Sequence, residues 1–129
     1  MEKAELQRLV SERVVKDAYE QTGKRFVPAA ASNRHIHVSA QDLETLFGKG
    51  YALKPSRALS QPGQFAAEET VSIAGPKGKI DNVRVLGPAR GSTQAELFLA
   101  DTFRLGIKPV IRISGDIEGT PGATVIGPK

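Results

Sequence analysis

The chain has 129 residues, room for one domain or one domain with a short appendage. Its 40% apolar content fills a modest core of Val, Ile, Leu and Ala, since aromatics are 5% and tryptophan is absent; with no cysteine, a disulfide, a thiolate nucleophile and Cys-ligated metal are all excluded. Lys and Arg outnumber Asp and Glu by 18 to 14, a net +4 that favours anionic partners, and neither a membrane-length apolar run nor a secretory signal is visible, so a cytoplasmic location is the default.

Residues 2 to about 21 read as an amphipathic helix. Leu6, Leu9, Val10, Val14 and Ala18 recur at three-to-four spacing, with charged residues and glutamine elsewhere, and Gly23 is a natural stop. Gly23-Lys24-Arg25 then separates this element, residues 1–24, from residues 25–129, which read as the domain proper. The periodicity fits a helix docked on its own domain and one docked on a partner equally well.

Phe26 to Val38 reads as strand, and it holds both histidines of the protein, His35 and His37. If Ile36 and Val38 mean a regular strand, the two imidazoles share one face, about 7 Å apart along the chain. Arg34 then faces the other way, in a structural role or as a contact on that face. Ser39 is placed as a helix N-cap with Asp42 three positions on, opening a short helix over Asp42 to Phe47 that ends at Gly48.

After Tyr51 the texture turns to short strands. Ser60 to Gln64 is a turn, Thr70 to Ala74 a strand, Gly75-Pro-Lys-Gly78 a hairpin connection, and Ile80 to Leu86 the returning strand. Gly87 to Gly91 is a loop, Thr93 to Leu99 alternates, and Asp101 to Leu105 is a helical turn closed by Gly106. Val110 to Ile113 and Ala123 to Ile126 flank the Gly-rich turn Gly115 to Gly122 as further strands. The expected fold is therefore mainly β with short helices (α+β), a small β-barrel preceded by an amphipathic helix. Gly127-Pro128-Lys129 repeats the text of Gly75-Pro76-Lys77, so a strand entering a connection, and a missing second half beyond it, is the expectation.

Two imidazoles on one strand need only a carboxylate to start a zinc or iron site. Glu96, between Ala95 and Leu97 in a strand-like segment, is the best candidate, because a buried carboxylate there would need a partner. Two histidines and one glutamate would leave open positions for water or substrate. The same spacing occurs in strands whose histidines only pack or hydrogen-bond, and an outward-facing Glu96 fits the text as well. Arg90, in a Gly/Pro loop before that segment, has the bidentate fork that grips phosphate, or is simply solvated. A nucleophilic elbow, a Walker A loop and a dinucleotide fingerprint are all absent, which disfavours serine-triad, nucleotide-hydrolysis and Rossmann chemistry.

Four blocks in order carry a resemblance: Ser32-Asn-Arg-His-Ile-His-Val-Ser39, Leu59-Ser-Gln-Pro-Gly-Gln-Phe-Ala-Ala67, Asn82-Val-Arg-Val-Leu-Gly-Pro88 and Ser114-Gly-Asp116. Together they closely resemble the phosphate propanoyltransferase family of phosphotransacylases, from about Phe26 to Lys129. The resemblance implies a zinc-dependent acyltransferase that interconverts acyl-CoA and inorganic phosphate with acyl phosphate and coenzyme A. It implies two β-barrel domains with a two-zinc site between them, His35, His37 and Glu96 as ligands from the first domain, and Arg90 as the catalytic, phosphate-binding arginine. The N-terminal helix resembles peptides that direct some members into bacterial microcompartments, which adds shell or cargo proteins as partners and the microcompartment lumen as a location.

One departure stands out. The family's second domain carries further histidines, and no histidine follows His37 here. The rival reading is thus a catalytically incomplete half-domain that acts as a metal-binding, assembly or targeting module, or completes its site as a homo-oligomer. A nucleic-acid binder ranks last, because the basic residues are scattered and lack interleaved aromatics.

Overall fold

The structure is a computed structural model that describes residues 2–25, 27 and 32–129. Along the chain these residues form α1 (Lys3–Thr22), β1 (His35–Ser39), α2 (Ala40–Phe47), β2 (Pro55–Ala58), β3 (Phe65–Ala74), β4 (Lys79–Arg90), β5 (Gln94–Glu96), α3 (Leu99–Leu105) and β6 (Thr124–Ile126). Helix α1 follows the expected span and stops at Gly23, whose φ of 68° is the left-handed conformation that glycine adopts without penalty. It buries no residue: Leu6, Val10 and Val14 are all more than half exposed. Ion pairs at i,i+4 run along it, Arg8–Glu12 and Arg13–Asp17 at 2.9 Å and Lys16–Glu20 at 3.8 Å, each in the less favourable base-before-acid order.

The strands make one mixed sheet in the order β2-β3-β4-β1-β5, with β6 added to β3. Strand β1 lies between two partners. It runs parallel to β4, with His35 beside Arg84 and His37 beside Leu86, and antiparallel to β5, with His35 opposite Glu96. The β3–β4 hairpin turns at Gly75–Gly78 as its residues predict, closed by a Gly75 N–H bond to the Gly78 carbonyl at 2.9 Å. One face of the sheet carries the core: Ile36, Val38, Ile73, Val83 and Val85 are fully buried, with α2 supplying Leu43, Leu46 and Phe47 and α3 supplying Leu105. Ser39 caps α2 as expected, accepting from the Asp42 N–H at 3.1 Å.

Two bulges decide which side chains reach each face. Between the β3/β4 pairs Val71–Val83 and Ile73–Ile80 the longer strand carries one extra residue, and there Asn82 takes φ 58°, a left-handed position asparagine tolerates. A second irregularity separates Ala66–Leu86 from Thr70–Arg84. Arg84 Nη1 donates to the carbonyls of Ala67 and Glu68 at 3.2 and 2.8 Å, satisfying oxygens that the ladder misses.

The structure differs from the sequence reading in five places. The sheet of the described residues is open, with β2 and β5 at its ends, where a closed barrel was expected. Segment 107–123 supplies no closing strand: Val110 to Ile113 forms none, Pro109 and Pro121 lack an N–H donor, and the glycines bring no side chain to pack on a neighbour. Ile111 and Ile113 are 95% and 84% exposed, so these apolar residues have no layer to cover among the described residues. The alternating stretch Thr93 to Leu99 yields only the three residues of β5, because Leu99 already opens α3. Of the strand expected over Phe26 to Val38, Phe26 and residues 28–31 lie outside the described residues, Ser32 to Arg34 are irregular, and the strand starts at His35. Finally, Gly87 to Arg90 is the end of β4 rather than a loop; Gly87 is there because a Cβ would collide with the Phe65 ring.

Candidate metal centre

Alternation along β1 places the site. Ile36 and Val38 point into the core with no exposure, so His35 and His37 point to the opposite face, where their ring centroids lie 5.0 Å apart, edge to face. Register with β5 then brings Glu96 across from His35. His35 Nε2 lies 3.4 Å from Glu96 Oε2, and His37 Nε2 lies 3.8 Å from Glu96 Oε1. One donor atom from each of the three falls within 4.8 Å of the others. The side chains of His35, His37 and Glu96 are 12%, 5% and 37% exposed, so the group is walled by protein on the histidine side and open on the carboxylate side.

These residues fit a divalent metal. Zinc bonds of about 2.0–2.1 Å in tetrahedral geometry put neighbouring donors about 3.4 Å apart; His35 Nε2 and Glu96 Oε2 stand at that spacing, and the full set of three, within 4.8 Å, has to draw together slightly around an ion. His35 Nδ1 is 2.8 Å from the Asn33 carbonyl, an acceptor only, so this nitrogen carries a proton and Nε2 is the one that faces Glu96 as a ligand atom. His37 is held neutral. Burial first, then the charges of Arg90 and His35, push its pKa from 6.5 down to about 4, against the opposing pull of Glu96. Glu96 is itself fixed: Gln94 Nε2 and Ser114 Oγ donate to Oε1 at 2.8 and 3.1 Å, and Gln94 Oε1 accepts from the Gly115 N–H at 2.8 Å.

All four site residues read from the sequence converge. Arg90, at the end of β4 and in register with Ser39, lines the same cleft as His35, His37 and Glu96. The cleft measures about 870 Å³, within the size range of small-molecule sites. Arg57, Gln64 and Arg84 also line it, and were not singled out as site residues. The blocks Leu59–Ala67 and Asn82–Pro88 contain Gln64 and Arg84, so the signal was present, but which face each would take depends on the bulges. Arg34, which precedes the strand, pairs with Asp101 at 2.9 Å and yet also lines the cleft, so it does not turn wholly to the opposite face as the alternation predicts.

Residues 28–129 match the family model described as phosphate propanoyltransferase. A phosphate propanoyltransferase of Thermotoga maritima is 63% identical over 98 residues, covering 76% of this chain and 47% of that protein. One from Rhodobacter capsulatus is 50% identical over 124 residues, 95% of this chain and 58% of the relative, and one from Salmonella typhimurium is 46% identical over 114 residues, 88% and 54%. The chain thus spans about half the length of the curated relatives it matches. With the family model covering most of its residues and identities of this order, the chain belongs to the phosphate propanoyltransferase family.

Proposed function

We propose that the whole protein is a metal-dependent acyltransferase that exchanges a short acyl group between coenzyme A and inorganic phosphate. The observation that carries this reading is the convergence of His35, His37 and Glu96 within 4.8 Å at a cleft that also holds Arg90. His35, His37 and Glu96 would hold the metal, zinc by the nitrogen-rich donor set. When bound, the metal supplies Lewis-acid polarisation and stabilises developing oxyanion charge. Arg90 offers phosphate a planar bidentate partner, and Arg57 and Arg84 add positive charge along the wall where the anionic parts of acyl-CoA would lie.

The chemistry is a direct displacement. A phosphate oxygen attacks the thioester carbonyl, the C–S bond breaks, and coenzyme A leaves as the thiolate. No covalent acyl-enzyme is needed: this chain offers no cysteine, and its Ser114 hydrogen-bonds Glu96 and Gln94 rather than a histidine. Holding two anions in line supplies much of the rate. Three donors leave coordination positions open, and we assign further ligands and the second zinc to the rest of the protein or to a partner copy. The same remainder would give segment 107–123 a neighbouring strand and close the sheet into a barrel.

The exposed stripe of α1 favours a second role beside this one. A helix that buries none of Leu6, Val10 or Val14 on its own domain is free to dock on a shell or cargo protein of a microcompartment.

Zinc content and mass in solution, followed by phosphate-dependent release of thiol from propanoyl-CoA, test the proposal. About one zinc per chain in an active dimer is expected if two copies complete the site. Glu96→Gln lowers zinc content, and Arg90→Ala raises the phosphate KM while zinc is retained. Unchanged zinc in the first variant, or an unchanged KM in the second, rejects that assignment. An apo monomer without activity leaves the half-domain reading.

A further inference from the structure

We propose that Arg34 and Asp101 are positioning residues that clasp β5 onto β1 and so set the separation of His35 and Glu96; this rests on reading those two residues as metal ligands. Strand β5 has only three residues and lies at the end of the sheet, paired with β1 alone. A ladder this short, on one side only, holds an edge strand weakly. Yet Glu96 must stay opposite His35 to within a few tenths of an ångström for the donor set to close on one ion.

Both ends of β5 are tied by side chains. At its start, the Thr93 hydroxyl accepts from the Ser39 N–H at 2.9 Å and donates to the Asp42 carboxylate, fixing β5 to the last residue of β1. Beyond its end, Asp101 Oδ2 accepts from the Phe98 N–H at 3.0 Å and from Arg34 Nε at 2.9 Å. Arg34 immediately precedes His35, and Phe98 follows Glu96 by two residues. The guanidinium carbon also stands 5.2 Å from the centre of the Phe98 ring. The clasp therefore joins the residue before one ligand to the residues just after the other. The Asp101 side chain is only 6% exposed, so without Arg34 its buried carboxylate would lose its ion-pair partner and keep the Phe98 N–H.

The test uses Asp101→Asn, which keeps an acceptor for the Phe98 N–H, Arg34→Met, which keeps the contact with the ring, and the double variant. Tyr51→Phe serves as the reference, since it removes a hydrogen bond to Glu69 outside the β1–β5 pair. In metal-free protein, amide exchange in the β1–β5 ladder should speed up about tenfold in both single variants while the β3–β4 hairpin is unchanged. Zinc affinity, measured by chelator competition, should fall about tenfold. The double variant should lose no more than either single one, because the two residues form one device. Unchanged exchange in the ladder, equal loosening across the sheet, additive losses, or the same loss in Tyr51→Phe would overturn the clasp. A wild-type protein that takes up no zinc would overturn the metal reading, and the exchange data would still decide the clasp.

Discussion

Helix α1 runs for 20 residues without burying one of them, whereas β1 buries Ile36, His37 and Val38 within five. The helix is the longest element and the most plainly written, yet its support is local, from ion pairs one turn apart that contribute about 0.2–0.5 kcal/mol each. Strand β1 is short and surrounded, with β4 on one side, β5 on the other, the core beneath and the candidate metal site above. Alternate residues of β1 therefore serve stability and chemistry, and a change aimed at one reaches the other. In α1 a change reaches only what docks there.

That contrast can be broken most severely at Ile36. Ile36→Ala should cost about 3 kcal/mol, from lost burial and the cavity left between β4 and α2, and zinc affinity should fall with it. Urea unfolding beside a zinc titration checks both, and full affinity in the destabilised variant would separate the two faces. A smaller effect belongs to His37 in metal-free protein. Its pKa is about 4 folded and 6.5 unfolded, so between these values the unfolded state binds more protons and stability falls as pH drops. Between pH 7 and pH 5 the loss should be about 2 kcal/mol, and His37→Gln should abolish it. Glu69 and Asp101, whose carboxyls are held below their usual range by Tyr51 and by Arg34 respectively, add their losses only at lower pH. The smallest effect is expected at the other pole. Removing residues 2–24 should shift stability by less than about 0.5 kcal/mol and leave zinc affinity unchanged. A larger shift would mean that α1 packs on the domain in solution.

What could be read from the residues follows the same division. The stripe and Gly23 stop of α1, the Ser39 cap of α2 and the Gly75–Gly78 hairpin are local signals, and each stands in the structure where the chain predicts it. The face shared by His35 and His37 is equally local. Glu96 was chosen for its apolar neighbours, and it meets His35 only through β1–β5 pairing across some sixty residues, which no window of sequence encodes. The barrel was inferred from strand count and turn spacing. Closure depends on whether Val110 to Ile113 finds a partner, and alternation alone cannot say so. Arg84 and Arg57 escape a reading by alternation because a strand residue's face is undefined until the bulges are known.

The bulge at Asn82 has a further consequence. One residue is passed over there and the in-and-out alternation resumes beyond it. Ile80 faces the core, and if the strand alternated regularly through every residue the inward positions after it would be 82, 84 and 86. Because the phase slips at Asn82, Val83 and Val85 turn inward and Arg84 and Leu86 are delivered to the cleft, beside His35 and His37. Straightening the strand with Asn82 kept in place would send a guanidinium to the core and two valines to the cleft, whereas deleting Asn82 together with the bulge would leave all of them where they are.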